Sequence, residues 1–112
     1  MLAGVIKAKT INSTSDKVLT INKLLTNELP FSITQLKLNG KNKLVKNKIC
    51  DAVYYILQGS GKFIINGNET EVEQGDLIFL PKNTTYQDEG VMTMLSVYYP
   101  PFDSKQVEYP EK

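Results

Sequence analysis

From Phe31 onward the apolar runs are five to nine residues long and rich in β-branched and aromatic side chains, and turn residues punctuate them at regular intervals. Runs this short do not carry a helical period, whereas strands joined by tight turns need nothing longer. The pattern predicts an all-β fold. Phe31 to Leu38 comes first and ends at Asn39-Gly40; Leu44 to Lys48 follows, then Val53 to Leu57, closed by Gly59-Ser60-Gly61. Lys62 to Asn66 leads into Asn66-Gly67, a two-residue hairpin signal because both central residues of such turns need positive φ.

In the return arm Glu69, Glu71 and Glu73 alternate with Thr70 and Val72, which puts the carboxylates on a solvated face and the less polar residues inward. Gln74-Gly75-Asp76 turns the chain into Leu77 to Leu80, apolar on both faces and so expected to be covered on both sides. Val91 to Tyr99 is the last expected strand, stopped by Pro100-Pro101. Before these, Val18 to Ile21 reads as a strand and Asn22 to Leu29 as a loop or one helical turn. Many short strands with short turns imply a sandwich or barrel, which removes exposed strand edges.

The 112 residues fit one domain, 1–112, with 1–30 as an N-terminal strand and loop extension and 102–112 as a polar tail or a flap over a partner subunit. A net charge of +1 supplies no overall field for nucleic acid or an anionic membrane. All 13 basic residues are lysines, so the bidentate guanidinium fork is absent, and there is no histidine. Cys50 is the only cysteine, which excludes an intramolecular disulfide and a multi-thiolate metal site and suits a reducing cytoplasm. Met1 to Lys9 lacks the apolar stretch of a signal peptide, and no segment reaches the length of a membrane-spanning helix.

Between Gly40 and Gly90 the spacing of glycines, proline and turns resembles the two sequence motifs of the cupin superfamily. The first motif falls on Gly40, Lys46, Lys48, Ala52 and Gly59, the second on Gly75, Pro81, Asn83, Tyr86 and Gly90. Tyr54-Tyr55-Ile56-Leu57-Gln58-Gly59 and Gly75-Asp76-Leu77-Ile78-Phe79-Leu80-Pro81 are similar to small single-domain cupins at those points. The resemblance implies a double-stranded β-helix, that is, a jelly-roll barrel. In metal-dependent relatives three histidines and one glutamate bind the ion, and on this chain those four positions read Lys46, Lys48, Ala52 and Tyr86. Protonated lysine has no lone pair, alanine has no ligand atom, and tyrosine ionises only at about pH 10. No metal and no cofactor are therefore expected, the remaining route being a site recruited from Asp51, Asp88 or Glu89.

The expected ligand-binding set is Lys46, Lys48, Tyr54, Gln58 and Tyr86, with Ile56 and Phe79 adding shape. Two lysines two apart on a strand share a face, and in a cavity they favour an anion; alternatively one loses its proton, or both reach past the rim to water. Tyr86 by motif position, and Tyr54 two residues beyond Ala52, offer phenols for hydrogen bonding, proton donation or plain packing. Cys50 has no histidine to activate it, and no catalytic residue is assigned. The expected function is a cupin-fold protein binding a small anionic or sugar-like molecule. The alternative is a metal-independent isomerase, epimerase or lyase that uses Tyr86 and a lysine. A metal-dependent enzyme with recruited ligands comes third. The resemblance further implies a homodimer through sheet faces, with Val91 to Tyr99 and the tail as contacts, and no nucleic-acid or membrane partner.

Overall fold

The structure, a computed structural model, describes residues 4–5, 12–23 and 29–110. Its strands are β1 (Asn12–Ser15), β2 (Leu19–Lys23), β3 (Ser32–Lys41), β4 (Val45–Asn47), β5 (Asp51–Ile65), β6 (Asn68–Glu73), β7 (Leu77–Leu80), β8 (Thr85–Tyr99) and β9 (Val107–Glu108), with one 3₁₀ turn at Ser104–Gln106. The expectation for Asn22 to Leu29 falls mostly outside the described residues, as does that for Met1 to Lys9. Among the described residues no helix is long and apolar enough to cross a membrane.

Two long antiparallel strands form the spine, β5 against β8, in register from Asp51↔Tyr99 to Ile65↔Tyr86. The outer edge of β8 is taken first by β3 and then by β4, and the outer edge of β5 by β7 and then β6. Beyond these, β2 and β1 extend the sheet from β3, and β9 extends it from β4. The single sheet curls into a jelly-roll barrel. Its solid end is filled by alternate residues of the two spine strands and their neighbours, including Leu38, Ile56, Phe63, Val72, Ile78, Leu80, Met92 and Met94.

The spine strands bend where glycine lets them touch. A Cβ on Gly59 would lie 2.1 Å from the Val91 carbonyl oxygen, and one on Gly61 2.1 Å from that of Glu89. The β5–β8 register slips between Ile56 and Gln58, a bulge that sharpens the local twist. Gly59-Ser60-Gly61 therefore lies inside one continuous strand instead of forming the turn expected from the sequence, because backbone contact with β8 gives those glycines a second use. Asn66 and Gly67 do form the tight hairpin, with φ of 49° and 85°.

Two further expectations are corrected. Leu77 and Phe79 are 64% and 59% exposed, so β7 is covered on one side only: it pairs with β5 alone, and no described element lies over its outer face. The C-terminal segment is no free tail, since residues 102–109 fold onto their own barrel. The Phe102 ring packs on Tyr98 at 5.1 Å, its N–H donates to Ser32 Oγ at 3.0 Å, and β9 pairs with β4.

Candidate functional site

A cavity of about 410 Å³ opens on the inner face of β2, β3, β8 and β4, roofed by the C-terminal segment. Leu19, Ile21, Leu36, Val45, Phe102 and Val107 give it apolar walls. Polar groups converge from β8, on which Tyr86, Asp88, Ser96 and Tyr98 all line the cavity. They do so because an even spacing along one strand keeps side chains on one face.

Tyr54 reaches the same space from β5, and three phenol oxygens meet there. Tyr54 Oη lies 2.8 Å from Tyr86 Oη and 2.6 Å from Tyr98 Oη, with 3.3 Å between the last two. The rings meet edge to face around Tyr54, at 5.9 Å to Tyr86 and 6.1 Å to Tyr98. Burial, followed by the neighbouring phenols and Asp88, holds the Tyr54 hydroxyl well above the ordinary phenol range; burial, then Tyr98, does the same for Tyr86. All three hydroxyls are therefore neutral donors and acceptors at physiological pH.

Asp88 is 1% exposed, and Asn42 Nδ2 donates to its Oδ1 at 3.1 Å. Burial pushes its carboxyl above the usual carboxylate value, and the Asn42 hydrogen bond opposes this only in part. Asn47 also lines the cavity and is buried at 7% exposure. Leaving a buried amide donor unpaired costs about 1–3 kcal/mol, and Asn47 Nδ2 has no acceptor among the described residues.

The lysines lie elsewhere. Val45 is the register partner of Tyr86 and Asn47 that of Val107, so these two residues of β4 share the inner face. Lys46, opposite Thr85 and Glu108, takes the outer face, as does the exposed Lys48. Lys48 Nζ pairs with Glu108 Oε2 at 3.0 Å with both side chains half exposed, and that contact, with Lys46 adding to it, lowers the Glu108 carboxyl. Keeping both ammonium groups in water avoids the desolvation that an apolar cavity would impose. Gln58 is exposed beside the bulge and Phe79 points outward, while Ile56 is wholly buried in the core away from the cavity. Of the expected set, Tyr54 and Tyr86 come together; Lys46, Lys48 and Gln58 do not join them.

Tyr98, Asp88 and Asn47 were missed as members of this site. The signal for the first two is the even count from Tyr86 along one strand, which a strand beginning at Val91 cuts short. For Asn47 the spacing match itself placed the inner positions one residue late.

The donor chemistry at the inner positions does not fit a transition metal. Val45 and Ala52 offer no ligand atom, Tyr86 keeps its proton, and Asn47 Oδ1 already accepts N–H bonds from Ile49 and Cys50. Among the described residues no three His, Cys, Asp or Glu side chains converge to hold an ion. Cys50 is also occupied: its Sγ lies 3.1 Å from both the Pro100 carbonyl and Gln106 Oε1, and burial raises its pKa, so it anchors the C-terminal roof as a thiol.

Comparison with known proteins gives a consistent picture. A family model described as the cupin domain matches residues 49–98. An uncharacterized protein of Methanocaldococcus jannaschii is 30% identical over 73 residues, 62% of this chain; the chain spans 58% of that relative's length. Among solved structures, a variant of Streptomyces Pac13 with uridine superposes with a TM-score of 0.88 at 17% identity, covering 96% of this chain and 92% of that one. Pac13 is described as a nucleoside dehydratase. Ectoine synthase from P. lautus gives a TM-score of 0.76 at 18% identity over 89% of this chain and 83% of that one. At these identities the structural likeness is one of fold.

Proposed function

We propose that this chain, which has the barrel fold of the cupins and matches the cupin-domain family model over residues 49–98 yet turns no metal-ligand set toward its cavity among the described residues, binds a neutral, hydroxyl-bearing small molecule of the nucleoside or sugar type there. The observation that carries this reading is the cluster of three phenol hydroxyls beside a buried carboxyl in a cavity with apolar walls at Leu19, Ile21, Leu36, Val45, Phe102 and Val107. Ligand pockets of this build are mostly apolar, with a few convergent polar groups that fix orientation. About 410 Å³ accommodates a nucleoside. The lysines that do line the cavity, Lys23 and Lys43, are exposed side chains at its mouth, which favours a neutral ligand over an anion. Pac13, solved with uridine, supplies a precedent for a nucleoside in this fold.

The test is calorimetric titration of uridine, methyl ribofuranoside and ribose 5-phosphate into the wild type and a Tyr54→Phe, Tyr86→Phe double variant. Uridine or the ribofuranoside is expected to bind the wild type and to lose about tenfold or more in the double variant. Saturable binding of ribose 5-phosphate alone, unaffected by the double change, would return the site to the anion reading.

A second reading is supported by the surroundings of Asp88: metal-independent elimination of water from such a ligand. Asp88 as carboxylate takes a proton from carbon, and that C–H electron pair forms the new double bond. The C–O bond on the neighbouring carbon breaks as a tyrosine hydroxyl gives its proton to the departing oxygen, which leaves as water. Transfer of the proton from Asp88 to the phenolate restores both groups. A base of raised pKa next to a phenol acid suits this division of labour. Asp88 takes the part that a lysine held in the reading from sequence. For assembly, the reading is a homodimer formed through the uncovered outer face around β7.

A further inference from the structure

The groups that would meet a ligand lie inside. Tyr54, Tyr86, Tyr98 and Asp88 are all buried and line one cavity, so a molecule of nucleoside size reaches them only when a wall gives way. Most of the walls are tied on both edges. β2 is paired with β1 and β3, β3 with β2 and β8, and β4 with β8 and β9. The loop at Asn42 is tied to Asp88 by its backbone N–H, at 3.0 Å, and by its side chain, at 3.1 Å. The exception is β9, two residues long and paired with β4 alone.

Within the C-terminal segment a fixed half meets a loose half at Gln106. Up to that residue the chain is anchored. The Phe102 N–H donates to Ser32 Oγ and its ring packs on Tyr98. Gln106 donates its N–H to the Asp103 carbonyl at 2.9 Å, and its own carbonyl accepts the Lys48 N–H at 3.3 Å. Its Oε1 accepts the Asp103 N–H at 3.2 Å and lies 3.1 Å from Cys50 Sγ. Beyond Gln106, Val107 and Tyr109 line the cavity. They are held by the short β9 ladder, by the half-exposed Lys48–Glu108 ion pair, and by Lys43 Nζ at 5.4 Å from the centroid of the exposed Tyr109 ring. Ion pairs and cation–ring contacts in water hold an element weakly, and so short a ladder opens without disturbing the barrel.

We infer that β9 with Tyr109 is the gate of this cavity, hinged at Gln106, and that a ligand enters and leaves by the parting of β9 from β4. The gate rests on the reading of the cavity as a ligand site and governs how fast that site exchanges its occupant.

Lys46 and Glu108 are register partners on the outer face, where directly opposite residues of an antiparallel pair stand within disulfide reach. Lys46→Cys with Glu108→Cys therefore closes the gate when oxidised and frees it when reduced. Stopped-flow kinetics with uridine on the full chain should show association and dissociation both slowed about tenfold or more by oxidation. Should the disulfide not form, Glu108→Lys, which sets like charges opposite each other at Lys48, should speed both rates instead. Rates unchanged by a disulfide verified by peptide mass, or by the charge reversal, overturn the gate while leaving the ligand site standing. If uridine does not bind the wild type, the site reading loses its support and a ligand-free probe decides the gate. Thr34→Cys, added to the cysteine pair, puts a thiol of similar size on the far wall of the cavity. Its alkylation by iodoacetamide should be about tenfold or more slower in the oxidised than in the reduced protein, and equal alkylation overturns the gate.

Discussion

Asp88 is the residue whose environment most departs from that of an exposed carboxylate. Burial raises its folded-state pKa above 3.8, so the folded protein holds that proton more firmly than the unfolded chain does. The stability linked to this group is therefore fully present below about pH 3.9 and is lost as pH rises through the folded value. Asp88→Asn should remove the penalty of a buried charge while leaving an oxygen for Asn42 Nδ2. Its melting temperature at pH 7 is expected to be above that of the wild type, with the gap closing as pH falls toward 4. Thermal melts across that range check it; a variant less stable at pH 7 than at pH 4, relative to the wild type, contradicts the sign. The same change should abolish any elimination activity, since an amide cannot take the proton.

At the scale of elements, the decisive feature is the close contact of β5 and β8. Gly59→Ala sets a methyl group against the Val91 carbonyl in a backbone with φ of 92°, and neither neighbour is a side chain that can move aside. A loss of about 4 kcal/mol or more is expected in urea unfolding. Gly67 in the hairpin has a similar φ of 85° but open space around it, so Gly67→Ala should cost only the conformational term, about 1–2 kcal/mol. Equal losses at the two positions would mean that contact between the strands is not what glycine serves there.

These elements also mark how far sequence reading reaches. Turns and apolar runs are local, so the sequence alone marks β7 at Leu77 to Leu80 and the Asn66-Gly67 hairpin. Which way a three-residue strand faces is not local. The inner face of β4 is decided by Val45 standing opposite Tyr86 and Asn47 opposite Val107, residues far along the chain. A slip of one residue in counting from Gly40 moved the expected cavity residues from Val45 and Asn47 to the two lysines beside them. Tyr54 and Tyr86 both line the cavity because each sits on a long strand whose alternation holds over many residues.

For the whole molecule, the barrel has one crowded face and one bare one. Register carries two rows of side chains across β3, β8, β5 and β7: Ile33, Val97, Val53 and Phe79 in one, Gln35, Leu95, Tyr55 and Leu77 in the other. Contiguous apolar patches of this kind on a small protein mark contact surfaces. A second copy of the chain is the expected occupant, the curled sheet offering the same patch to both partners in an isologous contact. Light scattering at micromolar concentration should give twice the chain mass. Leu77→Lys with Phe79→Lys should give the monomer mass with little change in melting temperature of the barrel. A monomer before the substitutions sets the proposal aside.

The three phenols raise a matter of handedness. Each hydroxyl has one proton to give and lone pairs to receive, and either oxygen of each pair can be the donor. Around the triangle the protons can circulate in two senses that no heavy atom distinguishes. A visitor that accepts from one phenol breaks the circuit and chooses the direction for the other two, and one that donates does the same from the opposite side. That corner of the barrel thus answers either polarity by reorienting hydrogens alone.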